Sequence, residues 1–82
     1  MSARVYALLD IMESKSEQVV RALQGKAGVK MVDALEGLPN IIMMVQARDR
    51  QQLAELTIQA LASAETVTEG VQLLPTQDGC NT

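Results

Sequence analysis

The sequence predicts an α+β fold, a four-stranded antiparallel sheet with two helices packed on one face. Three observations carry this. The apolar pattern switches between period two and helical spacing in the order strand, helix, strand, strand, helix, strand. The first and third strands are apolar on both sides for most of their length, as central strands are, whereas the second carries charges, as an edge strand does. Glycine, proline and asparagine gather at the joints between these segments.

The first strand is read in Arg4-Val5-Tyr6-Ala7-Leu8-Leu9-Asp10-Ile11-Met12. Val5, Ala7, Leu9 and Ile11 fall on one face, and Tyr6, Leu8 and Met12 fall on the other with Asp10. Ser14-Lys15-Ser16-Glu17 has the form of a capping box. Val19, Val20, Leu23 and Ala27 follow at helical spacing, so a helix is expected from about Lys15 to Gln24, closed by Gly25 and Gly28.

The second strand is Val29 to Glu36, with Val29, Met31 and Leu35 on one face and Lys30, Val32, Ala34 and Glu36 on the other. Gly37-Leu38-Pro39-Asn40 is a turn, after which Ile41 to Ala47 runs back. Asp49 is placed as the N-cap of the second helix, with Gln52 three residues on. Its apolar stripe is Leu53, Leu56, Ala60, Leu61 and Ala64, ending at Ser63-Ala64-Glu65. The last strand is Thr66 to Leu74, with a bulge at Gly70 and a stop at Pro75. Residues 1–75 form one domain, and the polar 76–82 segment reads as a flexible tail. The element order is the split β-α-β, or ferredoxin-like, arrangement, and right-handed crossovers place both helices on one side.

The helices leave the opposite sheet face uncovered. Tyr6, Leu8 and Met12, with one alternate set from Ile41–Val45, would stand there in water. Such a patch exceeds what a monomer usually exposes. Burying it against a second copy contributes roughly 10 kcal/mol per subunit before entropy costs. A symmetric dimer is therefore expected, joined face to face or through sheet edges.

Composition narrows the function. The 82 residues include ten Leu, ten Ala, eight Val, five Met and four Ile, but no His, Trp or Phe, one Tyr and one Cys. Without histidine there is neither a catalytic triad nor a zinc finger, and a single cysteine forms no internal disulfide. The first loop lacks the paired cysteines of metal-carrying domains of this topology, so no metal or cofactor is expected. Asp10, Asp33 and Glu36 read as edge charges rather than as a proton-transfer pair. Cys80 stands beside Asp78 and is not poised as a nucleophile.

The net charge of −3 and the scattered basic residues argue against nucleic acid as a direct partner. The longest apolar run, Ile41–Val45, is far below the ~20 residues of a membrane span, and no signal-peptide pattern opens the chain. A cytoplasmic location is expected. The Gly37–Asn40 turn reads either as a plain hairpin or as a loop whose backbone amides meet a ligand carboxylate.

Val5 to Ile11, then Ala27-Gly28-Val29-Lys30-Met31-Val32, then Glu36-Gly37-Leu38-Pro39-Asn40 leading into Ile41–Val45, and Ala47-Arg48-Asp49 opening a helix, together resemble the C-terminal effector domain of the Lrp/AsnC family of transcriptional regulators. The resemblance covers about Arg4 to Pro75. It implies a ligand-sensing domain that pairs by its sheets into dimers and assembles into rings of dimers, with an amino-acid effector bound between neighbouring dimers. The family's hairpin reads Gly, two variable residues, then Asp; here Gly37 matches and Asn40 stands at the aspartate position. Threonines near the start of the last strand are matched loosely by Thr66 and Thr68, while Gly70 departs from the pattern. By resemblance the ligand-binding residues are Gly37, Leu38, Asn40 and Thr68. Only Met-Ser-Ala precedes Arg4, so the expectation is a non-enzymatic effector domain without the family's DNA-binding reader, one that joins full-length regulators. Two rivals stay open: a small dimeric α+β barrel enzyme, and an assembly module without a ligand.

Overall fold

The structure, a computed structural model, describes residues 2–75 of the chain; the tail reading for 76–82, with Cys80, lies outside the described residues. The strands are β1 (Ala3–Ile11), β2 (Val29–Ala34), β3 (Ile41–Ala47) and β4 (Thr68–Pro75). The helices are α1 (Ser16–Gln24) and α2 (Arg50–Ala62), and single 3-10 turns cover Glu13–Lys15 and Glu65–Val67. The four strands form one antiparallel sheet in the order β2-β3-β1-β4. This is the expected ferredoxin-like arrangement, with β1 and β3 central.

Alternation decides what each central strand buries. Val5, Ala7, Leu9 and Ile11 of β1 and Ile41, Met43, Val45 and Ala47 of β3 are all buried, on the helix side. Val19 and Leu23 of α1 complete this core from above with Ala60 of α2 and Ala64. α1 lies over β2, and α2 lies over β3 and β1. Gly28 permits the close approach of α2. Its φ is +83°, and a Cβ there would stand 2.6 Å from Leu56 Cδ1 and 3.2 Å from the Gln46 carbonyl oxygen. No residue with a side chain fits both that backbone conformation and that space.

The other sheet face carries Tyr6 and Leu8 of β1 and Ile42 and Met44 of β3, each half-buried and, among the described residues, with no element above it. Register sets them side by side: Met44 pairs with Tyr6 and with Met31 of β2, Ile42 pairs with Leu8, and Tyr6 pairs with Leu74 of β4.

Several local expectations are corrected. The Ser14–Glu17 capping box does not form. The chain winds a 3-10 turn first, Lys15 occupies the N-cap of α1 without a side-chain cap, and Ser16 Oγ donates to the Glu13 carbonyl at 3.1 Å. The strict alternation read for β2 breaks between Val29 and Met31, where the register shifts; Val32 then turns into the core. β2 ends at Ala34 rather than Glu36, and β4 starts at Thr68 rather than Thr66 because a 3-10 turn intervenes. Two expectations hold in detail. Asp49 caps α2, its Oδ1 accepting from Gln52 N at 2.7 Å. The bulge at Gly70 appears as a register shift in which Asp10 faces Gly70 and Ile11 faces Thr68.

Thr57 of α2 is buried, and its Oγ1 has no hydrogen-bond partner among the described residues. An unpaired buried hydroxyl costs more than the methyl group of the same shape. Thr57→Val should therefore raise stability by about 1 kcal/mol, read as a higher urea midpoint at unchanged slope. An unchanged or lower midpoint would mean that the hydroxyl is satisfied in solution.

Candidate functional site

The turn between β2 and β3 borders a concavity at one end of the sheet. Gly37 has φ +83°, a left-handed conformation, and nothing lies within 4 Å of where its Cβ would be. Its glycine character thus serves the backbone path alone. The following Leu38–Pro39 peptide bond is cis. Leu35 N donates to the Asn40 carbonyl at 2.7 Å and closes the loop. Among the described residues no hydrogen bond engages the Gly37 and Leu38 N–H groups.

Asn40 anchors this turn to the central strand. Its backbone N–H donates to the Leu9 carbonyl at 3.0 Å. Its side-chain Oδ1 accepts from Ile11 N at 2.9 Å, and its Nδ2 donates to the Ile11 carbonyl at 2.7 Å. The regular β1–β3 pairing ends at Leu9 and Ile41. The Asn40 amide, which carries one donor and one acceptor in the same plane as a peptide does, extends that ladder by one step.

Two clefts flank the turn. The larger, about 530 Å³, is lined by Ile11, Leu35 and Leu38 together with Glu13, Glu36 and Glu69 around Gly37 and Asn40. The smaller, about 300 Å³, lies between Leu38–Pro39 and the Gly70–Gln72 stretch of β4, with Asp10 and Leu8 at its floor. Leu38 borders both and is 73% exposed. Neither cleft is lined by Lys or Arg among the described residues, so the local field is negative. Gly70 makes room for one of these charges, since a Cβ there would stand 2.8 Å from Asp10 Oδ2.

Of the residues singled out by sequence, Gly37, Leu38 and Asn40 meet in the larger cleft. Thr68 does not join them. It lies in a separate groove between α2 and β4, and its Oγ1 donates to the Ala64 carbonyl at 2.6 Å. Glu13 and Glu69 are additions that sequence reading missed. Glu69 arrives through the bulge before Gly70, and Glu13 through the 3-10 turn after β1. The glycine signal at 70 was available, but not which chain end it would bring to the hairpin.

No protein-family model matches the sequence. No curated protein matches it either. Solved structures do. The crystal structure of PH0061 matches with a TM-score of 0.82 at 18% identity, over 99% of this chain and 55% of that one. TTHA0845 from Thermus thermophilus matches at 0.81 and 16% identity, over 98% of this chain and 99% of that one. The transcriptional regulator NMB0573 from Neisseria meningitidis, solved as an L-Met complex, matches at 0.73 and 12% identity, over 98% of this chain and 53% of the regulator. The chain thus spans about half the length of PH0061 and of NMB0573, and nearly all of TTHA0845. At identities of 12–18% these likenesses speak for architecture alone: the chain shares the ferredoxin-like α+β fold of these proteins.

Proposed function

We propose that the chain is a small-ligand-sensing and oligomerisation module, which takes an amino-acid-like effector at the Gly37–Asn40 hairpin and modulates transcription by assembling with full-length regulators. The observation that carries the reading is the hairpin cleft itself. The Gly37 and Leu38 N–H groups suit a carboxylate, while Glu13, Glu36 and Glu69 around the same cleft suit an ammonium group. Both ends of a zwitterion therefore find partners within one cavity of amino-acid size. The L-Met complex of the similarly folded NMB0573 regulator supports this reading. No described helix is long and apolar enough to cross a membrane, and we place the module in the cytoplasm.

The second half of the proposal is self-association through the open sheet face. Tyr6, Leu8, Ile42 and Met44 form one continuous apolar surface without charge between them. A dimer that packs two such faces together removes it from water.

The experiment is a thermal-shift panel of the twenty amino acids with simple amines and simple carboxylates alongside. A ligand at a hundredfold excess over its Kd stabilises the folded state by about 2.7 kcal/mol, or about 10 °C or more for a domain of this size. The shift should vanish in Glu36→Gln combined with Glu69→Gln, both exposed positions that the fold tolerates. No shift with any amino acid removes the sensing reading and leaves assembly alone.

A further inference from the structure

We propose that β4 is a second self-association edge, at which two copies of this chain pair their β4 strands antiparallel about a two-fold axis to make one continuous eight-stranded sheet. The residues that carry it lie on the sheet edge and on the helix side, apart from Leu74, which stands on the open face beside Tyr6.

The two edges of the sheet are built differently. β2 has six residues, an irregular register at Lys30 and exposed charges at Lys30 and Asp33. These are the features by which edges refuse further strands. β4 has eight residues, and after Glu69 at its start it carries no charge. Its large side chains are uncovered on both faces. Val71 is 47% exposed and Leu73 46% on the helix side, and Leu74 is 43% exposed on the other. The cause is the placement of α2, which sits over β3 and β1 and stops short of β4. Between α2 and β4 this leaves a groove of about 350 Å³ lined by Leu61, Ala62 and Val71 with Glu65 and Thr68 at its end, and with Ile58 66% exposed on its rim.

Among the described residues no strand pairs with the outer edge of β4, an open edge is a template for a further strand, and β4 is complementary to itself. In an antiparallel pair centred on Gln72, Val71 faces Leu73 of the second copy on the helix side, and Leu74 faces Gly70 on the other side. Each Glu69 then lies at an outer end, away from its counterpart, so no like charges oppose. The two α2 grooves come to the same side of the joined sheet, where Ile58, Leu61, Val71 and Leu73 of both copies close over each other. The exposed area of Ile58, Val71, Leu73 and Leu74 is on the order of 400 Å², the size of the largest patch on a typical monomer, which is often functional. With the strand backbone added, it approaches the ~800 Å² per partner of a stable interface.

The test uses the full chain with Cys80→Ser, so that introduced cysteines are the only thiols. Val71→Cys and Leu73→Cys proteins are prepared separately, mixed, left to exchange and oxidised. Directly opposed residues lie about 4.5–5.5 Å apart between Cα atoms, within disulfide range. The mixture should give a cross-linked dimer, and either protein alone should give little. Sedimentation equilibrium supplies the second measurement. Ile58→Lys and Leu73→Lys, at positions already exposed, should reduce the mass of the wild-type assembly by half with unchanged circular dichroism. Equal cross-linking in all three samples, or a wild-type mass in both lysine variants, overturns the proposal. If Met44→Glu on the open face alone abolishes association, the open-face reading stands and the edge proposal falls. If the lysine variants alone abolish it, the reverse holds.

Discussion

Asn40→Ala should lower the stability of the folded chain by about 2 kcal/mol, which for a domain of this size is a fall in Tm of about 10 °C or more. The reason is the pair of hydrogen bonds between the side-chain amide and the Ile11 backbone, 2.9 Å and 2.7 Å long across 29 residues of sequence. Alanine removes both partners and leaves the Ile11 N–H and carbonyl, partly buried, to whatever water reaches them. Asn40→Asp is the sharper variant. It keeps the acceptor for Ile11 N but replaces the donor with a carboxylate oxygen facing the Ile11 carbonyl. At neutral pH it should be destabilised at least as much as the alanine variant. It should regain part of the loss on acidification, when a protonated carboxyl can again donate. Chemical denaturation of the three proteins at neutral and mildly acid pH reads this directly. If Asn40→Ala unfolds within about 0.5 kcal/mol of the wild type, the amide is not a structural link. For the sensing proposal the expected loss of stability has a specific consequence: Asn40, its amide committed to Ile11, acts on the ligand by holding Gly37 and Leu38 in place, so its substitution should weaken binding through the hairpin's position.

This long-range link also marks where sequence reading stops. The order of elements was legible because period two and helical spacing alternate cleanly, and because Asp49 and Gln52 stand at capping distance before the Leu53 stripe. The faces of β1 and β3 were legible for the same reason: one residue of slip would put Leu9 and Met43 in water. Features that depend on a partner distant in sequence were not. An asparagine after Gly-x-Pro reads locally as a turn former, and nothing nearby in the chain announces Ile11 as its partner. The Lys30 irregularity in β2 defeats the period-two rule that assigns Val32 to the wrong face. Ser14 and Glu17 have the composition of a capping box, but the 3-10 turn over Glu13–Lys15 makes Lys15 the N-cap instead. Thr68, not Thr66, starts the last strand, and its hydroxyl is spent on Ala64. The exposure of β4 was the least legible, since it follows from where α2 comes to rest rather than from any residue of β4.

On the proposed open-face pairing, Met44→Glu should shift the protein towards its smaller form, with association weakened by a thousandfold or more. Met44 stands mid-sheet on the open face, between Tyr6 of β1 and Met31 of β2 in register. In the separated chain its side chain is only half-buried, so a carboxylate there keeps its water and the fold survives. Its neighbour Met43 points the opposite way, is fully buried, and is untouched by the change. In a face-to-face pair both copies of the charge would be pressed against Tyr6, Leu8 and Ile42. The penalty for desolvating an unpaired charge is several kcal/mol per ion, and each ~1.4 kcal/mol is a factor of ten in Kd. Met44→Leu conserves volume and polarity and should assemble as the wild type does. The linkage supplies an independent readout. If folding and association are coupled, the wild-type Tm rises with protein concentration, whereas the Tm of Met44→Glu should be flat over the same range. A Met44→Glu protein of wild-type mass, with a Tm that still climbs with concentration, would show that the open face lies outside the interface and that the apolar row from Met31 to Leu74 has another use.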